Sequence, residues 1–233
     1  MALLIELFCG SATISNEFAA NGYKTLSLDN RLRKGICVPD FRCDIMKVSA
    51  GEIINQVLIK YPGINYQDHK LIVWASVPCQ IWSHAAGNVH FRESLATSTA
   101  AKESIKLLNH TLEIIDELQP VLYFIENPRG HLRYWKPLID WLVKHDGMIK
   151  QTSWGSYGFP TPKPTNIFTN AHDFKLREMA PFGRGAKAEK DFNNLTVCER
   201  QKVPRTFANE LLNYCNFKLE SIQTNKELYH DLK

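Results

Sequence analysis

Leu71-Ile72-Val73-Trp74-Ala75-Ser76 is a six-residue, mainly apolar run that stops at Val77-Pro78-Cys79-Gln80. A short apolar run closed by a proline turn reads as a strand buried on both faces. Further strand candidates lie on either side of it, at Leu3 to Phe8, Lys24 to Asp29, Val121 to Glu126, Met148 to Trp154 and Asn166 to Thr169. Between them run stretches of helical period near Ala12 to Asn21, Ala50 to Tyr61, Ser98 to Leu118 and Leu132 to His145, the third with Ile105, Leu108, Leu112 and Ile115 on one face. This alternation predicts an α/β fold with a doubly wound, mostly parallel sheet. In such sheets ligands bind outside the carboxyl ends of the strands, so the residues that follow each strand are where chemistry is sought.

The chain has 233 residues, 44% of them apolar, enough for one core and a small insertion. No apolar run reaches membrane-spanning length, and Met1-Ala2-Leu3-Leu4-Ile5 meets Glu6 too early for a signal peptide, so a cytoplasmic protein with no membrane association is expected. Cysteines at 9, 37, 43, 79, 198 and 215 share no repeated spacing, which speaks against a disulfide framework and a four-cysteine zinc site. A net charge of +4 and a pI near 8.7 tolerate a polyanionic partner without requiring one.

Four strand ends carry the residues of interest. After the first come Phe8-Cys9-Gly10-Ser11-Ala12, where Gly10 permits a tight turn and close approach to a nucleotide-like cofactor, or simply an ordinary turn. The full dinucleotide glycine pattern is absent, which points away from NAD. Asp29 closes the second strand and suits ribose hydroxyls, and Asp44 suits an adenine amino group. Cys79 stands at the end of the third listed strand, where a nucleophile gains exposure; a buried small residue, or a zinc set with His84 and His90, are the other readings. The long polar stretch after it reads as a lid. The next strand runs into Glu126-Asn127-Pro128-Arg129-Gly130, with Glu126 either a desolvated acid poised to donate a proton or a helix-capping or ion-paired carboxylate.

Phe-x-Gly, then Pro-Cys-Gln, then Glu-Asn-Pro, in this order and at these intervals, resembles the DNA cytosine-5 methyltransferase family. The likeness continues through Ser156-Tyr157-Gly158-Phe159-Pro160 and covers roughly Leu3 to Asn170. It implies a Rossmann-like methyltransferase fold with S-adenosylmethionine (SAM) as cofactor and DNA as partner, and no metal. Phe8, Cys9, Gly10, Ser11 and Pro78 would line the methionine end, Asp29 the ribose and Asp44 the adenine. Cys79 would add to C6 of a flipped cytosine and Glu126 would protonate N3. Pro78, Gln80, Ser83, Asn127 and Arg129 would lie against the substrate. An RNA methyltransferase of the same chemistry, or an inactive relative that only binds DNA or SAM, are the alternatives.

The chain departs from the family in three places. Ala12 replaces a usual second glycine, and Glu6 a usual aspartate. Thr161-Pro162-Lys163-Pro164-Thr165 stands where the family has Gln-x-Arg-x-Arg, leaving Lys163 as a cation without arginine's planar fork. A catalytic unit over 1–170 is followed by only a short insertion over 171–194, in place of a target-recognition region, and by a closing helical segment over 195–233. That helix is expected near Pro204 to Cys215, with fraying from Thr224. The neighbourhood 171–205 holds eight Lys or Arg against five Asp or Glu, so Arg177, Arg184, Lys187 and Arg205 are expected to contact the DNA backbone, with plain solvated surface charge as the other reading. Short or relaxed sequence specificity follows, with a second copy or a specificity partner left to supply what the insertion lacks. So small a chain resembles the phage and restriction-modification branches of the family.

Overall fold

The computed structural model describes residues 2–31, 38–83, 89–92, 95–179 and 194–230. Its strands are β1 (Ala2–Leu7), β2 (Lys24–Asp29), β3 (Phe41–Arg42), β4 (Lys70–Ser76), β5 (Phe91–Arg92), β6 (Leu95–Ala96), β7 (Leu122–Pro128), β8 (Met148–Ser153) and β9 (Pro164–Thr169). Its helices are α1 (Thr13–Ala20), α2 (Ala50–Lys60), α3 (Thr99–Leu118), α4 (Lys136–Lys144), α5 (Val197–Arg200) and α6 (Arg205–His230). Seven strands form one sheet in the order β3-β2-β1-β4-β7-β9-β8, and β5 and β6 form a separate hairpin. All neighbours in the large sheet pair parallel except β9, which runs antiparallel to both β7 and β8. Strand order reverses between β1 and β4, the switch point where doubly wound sheets open a crevice.

Both faces of the sheet are covered, so the central strands need no polar side. Leu3, Ile5, Leu7, Val73, Ala75 and Ile125 point into one core with Ile53 and Val57 of α2 and Leu108, Leu112 and Ile115 of α3. The alternate residues Leu4, Ile72, Trp74, Leu122 and Phe124 point into the other, with Ile14 and Phe18 of α1 and Phe207, Leu211 and Cys215 of α6. This is the period-two alternation of a strand applied to two apolar layers, and it explains why the runs read as continuous. Trp74 packs 5.6 Å from Phe207 between ring centroids, which seats α6 against the centre of the sheet. Ser49 caps α2 in a reciprocal capping box with Glu52, and the Ser98 hydroxyl accepts the Ala101 N–H at the start of α3.

Three expectations need correction. The last helix runs to His230, well past Cys215, because Leu219 and Ile222 continue its apolar face. The last sheet strand begins at Pro164 rather than Asn166, a position where the missing N–H of proline is tolerated. The stretch from Leu132 is first a 3-10 turn, His131–Tyr134, and becomes α4 only at Lys136. Among the described residues no helix is long and apolar enough to cross a membrane.

Candidate active site

A cavity of about 560 Å³ opens at the carboxyl ends of β1, β2, β4 and β7. Its first end is built on the β1–α1 turn, where Phe8, Gly10 and Ala12 all take positive φ (57°, 55° and 50°). This conformation exposes the backbone of the turn. Gly10 N–H donates to Asp29 Oδ2 at 3.0 Å and Arg31 N–H to Asp29 Oδ1 at 2.9 Å, fixing the carboxylate at the end of β2. A carboxylate offers about four acceptor positions, so roughly two remain for ligand hydroxyls. Asp44 accepts the Met46 N–H at 3.2 Å and also lines the cavity. Glu6 is buried beneath the turn and accepts the Ser15 N–H at 2.8 Å; burial pushes its carboxyl up to about 7.

The second end is formed by Cys79, Glu126, Lys163 and the α5–α6 connection. In the β4–β7 register Ser76 stands beside Glu126, so the thiol three residues further on and the carboxyl share one strand-end edge. Glu126 is 6% exposed, and its Oε1 is buried without a hydrogen-bond partner. Burial raises its pKa, and Lys163 partly offsets the rise. The Cys79 thiol is raised by burial first and by the Glu126 charge second, and Lys163 lowers it. Lys163 itself sits at φ 33° and donates from Nζ to the Arg200 carbonyl at 2.7 Å, bridging the cavity rim.

The loop after β4 is locked to the strand that carries Glu126. Asn127 Nδ2 donates to the Val77 carbonyl at 2.9 Å, and His131 N–H to the Trp82 carbonyl at 2.7 Å. Ser83 forms an isolated bridge with Gly130. A Cβ at Gly130 would lie 2.0 Å from the Trp82 carbonyl oxygen, a clash with backbone, so this contact demands glycine. Trp82 is fully buried and stacks on Phe91 at 4.9 Å, which anchors the loop from below. Cys79 is thereby held on a turn closed by its own carbonyl, which accepts from Trp82 N–H and Ser83 N–H.

Of the residues singled out in the sequence, Phe8, Cys9, Gly10, Ser11, Asp29, Asp44, Pro78, Cys79, Gln80, Glu126 and Lys163 line this one cavity. Ser83 and Asn127 brace it from outside. Arg129 lies beyond the rim, its N–H bonded to the Pro164 carbonyl. Arg177 is tied to Glu210 at 2.6 Å and lies over the Tyr157 ring, and Arg205 pairs with Glu17 at 2.8 Å. His90 bonds Ser98 through Nδ1. Arg184, Lys187 and His84 lie outside the described residues. Sequence reading missed Met46, Ser104, Leu107, Arg200, Gln201 and Val203, which also line the cavity. Gln201 Oε1 is buried there without a partner among the described residues.

No family model and no curated protein matches the sequence. Solved structures do match in three dimensions. The Entamoeba histolytica methyltransferase EhMeth superposes with a TM-score of 0.50 at 15% identity, over 78% of this chain and 58% of that one. A protein described as a DNA modification methyltransferase encoded within an E. coli prophage gives 0.49 at 18% identity, over 72% and 46%. Spodoptera frugiperda DNMT2 gives 0.47 at 13% identity, over 76% and 53%. The chain thus spans about half the length of the structures it matches. A seven-stranded, mostly parallel sheet with helices on both faces, superposable on EhMeth, gives this chain the Rossmann-like fold of that methyltransferase.

Proposed function

We propose that the chain is a SAM-dependent methyltransferase acting on C5 of cytosine in DNA, with Cys79 as the nucleophile and Glu126 as the proton donor. The observation that carries this reading is the pairing in one cavity of Cys79 with a buried carboxyl whose Oε1 has no hydrogen-bond partner among the described residues. A lone buried carboxyl of this kind is costly unless a ligand completes it. The N3 and exocyclic amine edge of cytosine offers the groups it lacks.

SAM suits the first end of the cavity. Asp29 retains acceptor positions for ribose hydroxyls, Asp44 stands by for the adenine amine, and Gly10 presents bare backbone beside them. When bound, it supplies an electrophilic methyl group. The remaining steps belong to the chain and the base. The Cys79 thiolate adds to C6, and the C5–C6 electron pair moves through the ring to N3, which takes the Glu126 proton. C5 of the resulting enamine then takes the methyl group. Loss of the C5 proton to a base re-forms the double bond, expels Cys79 and returns the N3 proton to Glu126. The pKa directions suit this order: a protonated Glu126 both donates to N3 and removes the negative charge that opposes the thiolate, while Lys163 favours it. Pro78 and Gln80 would seat the base, and the loop after Cys79 would cover it once it leaves the duplex. In this reading 1–170 is the catalytic unit, 171–194 a reduced recognition insertion and 195–233 the closing segment. Few base contacts fit so short an insertion, so specificity is short or relaxed.

The test is covalent trapping. Incubated with labelled SAM and DNA carrying 5-fluorocytosine, the protein should form an adduct that survives denaturation, because fluorine cannot leave C5 as a proton does. Cys79→Ser should abolish the adduct and leave thermal stability near that of the parent. An adduct on RNA of the same sequence but not on DNA would transfer the reading to RNA, and no adduct on either would overturn it.

A further inference from the structure

Beyond the cavity rim the 3-10 turn His131–Tyr134 presents an unusual surface. From Asn127 to Trp135 the chain has no acidic residue but carries Arg129, His131 and Arg133, while Lys136 just beyond is paired with Asp140 at 2.8 Å. Tyr134 is 55% exposed, and the Arg133 guanidinium lies 4.4 Å above its ring while donating to its hydroxyl. The Nε of Arg133 is buried with no hydrogen-bond partner among the described residues. Among the described residues neither Arg129 nor Arg133 takes part in an ion pair, in contrast to Arg177 and Arg205. The turn is joined to the loop after Cys79 through the Ser83–Gly130 bridge, the Trp82 carbonyl and the Phe91–His131 ring contact at 5.6 Å. Arg92, at the hairpin, is also exposed.

We infer that this turn is a landing surface for an unpaired stretch of the nucleic acid strand, with Tyr134 as the stacking ring and Arg133 and Arg129 as phosphate contacts. The inference rests on the proposed function and extends it, since it names a strand already unpaired around the target cytosine as the form of nucleic acid this face would hold. An exposed ring held flat by a cation has already lost its rotamer freedom, so stacking costs little further entropy. Unpaired guanidinium groups beside such a ring match the repeat of a single strand, in which base faces and phosphates alternate. A base inside a duplex presents no free face to Tyr134, which is why the surface selects an unpaired strand over a duplex.

Anisotropy of a labelled single-stranded oligonucleotide, with a duplex of the same sequence alongside, tests the assignment. Tyr134→Ala should weaken strand binding at least about fivefold, Tyr134→Phe should retain it, and duplex binding should change little. Arg133→Ala should lower the dependence of log affinity on log salt by about one. The 5-fluorocytosine adduct should form at the parental rate once the Tyr134→Ala protein is saturated with DNA. Equal strand affinity of parent and Tyr134→Ala, equal losses on strand and duplex, or equal competition by a polyglutamate peptide would each overturn the surface. The two readings separate cleanly: an adduct with a silent Tyr134→Ala leaves the methyltransferase standing alone, whereas Tyr134-dependent strand binding without an adduct leaves only the surface.

Discussion

At one end of the cavity Asp29 receives two backbone N–H groups and Asp44 a third, whereas at the other Glu126 and Gln201 each keep a buried oxygen without a partner among the described residues. The first end is therefore a finished mould. Its polar atoms are set by the chain, and a ligand adds bonds to groups already in place. The second end carries a desolvation penalty of about 1–3 kcal/mol for each orphaned group in the free protein, which only a ligand with the right donors relieves. On the proposed function, recognition is preorganised where the shape is fixed, and tension is kept where bonds would be made and broken.

Glu126→Gln strikes at the unfinished end and should have the largest effect. Methyl transfer should fall by about 10²- to 10⁴-fold, the range for loss of a general acid. The pH profile of kcat/KM carries a second signature. Because burial raises both groups, the rate should climb with pH as the Cys79 thiol ionises and fall as Glu126 loses its proton. In the variant the falling limb should vanish, and a profile unchanged in shape would remove Glu126 from the proton transfer.

Glu6→Gln probes a buried carboxyl at the finished end. Its folded pKa of about 7 lies above the usual 4.5, so the folded chain holds the proton more tightly than the unfolded one. Stability is then greatest below pH 4.5 and declines as pH rises through 7, by about 3 kcal/mol at 1.36 kcal/mol per unit. Denaturant melts between pH 4.5 and 8 should show that decline in the parent and a flatter curve in the variant.

Asp29→Asn should act more mildly and only on binding. The KM for SAM should rise about tenfold, or about 1.4 kcal/mol, with kcat unchanged, the mark of a contact equal in ground and transition states. A fall in kcat instead would mean that the two ends are coupled. The smallest effect belongs to Ala12→Gly. Ala12 holds φ 50° and ψ 33°, a region that disfavours any side chain, so glycine should raise stability by about 0.5 kcal/mol, measurable as a small gain in Tm.

Ala12 also shows what the sequence could and could not convey. Its departure from the usual glycine is visible in the letters, but only the backbone shows that the left-handed turn is kept and alanine bears the strain. The strands around β1, β4 and β7 were legible because two apolar layers make their runs continuous. Cys79 and Glu126 stood out because each follows closely on an apolar run, Cys79 three residues after Ser76 and Glu126 directly after Ile125. Phe41–Arg42 and the β5–β6 hairpin, two residues per strand, are too short to leave a period. Gln201 and Val203 were invisible for a different reason: they reach the cavity only because α6 is pulled onto the sheet by Phe207, and nothing local marks them. The antiparallel direction of β9 is likewise a property of the path, not of its residues.

The posts on either side of residues 180–193 are set firmly in the scaffold. Before them, Thr152 and Ser156 hydroxyls hold the carbonyls of Arg177 and Glu178, and Arg177 is pinned to α6 through Glu210. After them, Leu195 is buried and Thr196 forms a reciprocal cap with Glu199. Between two ends fixed in this way, doubling the number of residues costs only about 0.6 kcal/mol of chain entropy. The two posts thus form a socket: a longer segment could be spliced between them, or the present one trimmed, while the sheet and the cavity beneath stay as they are.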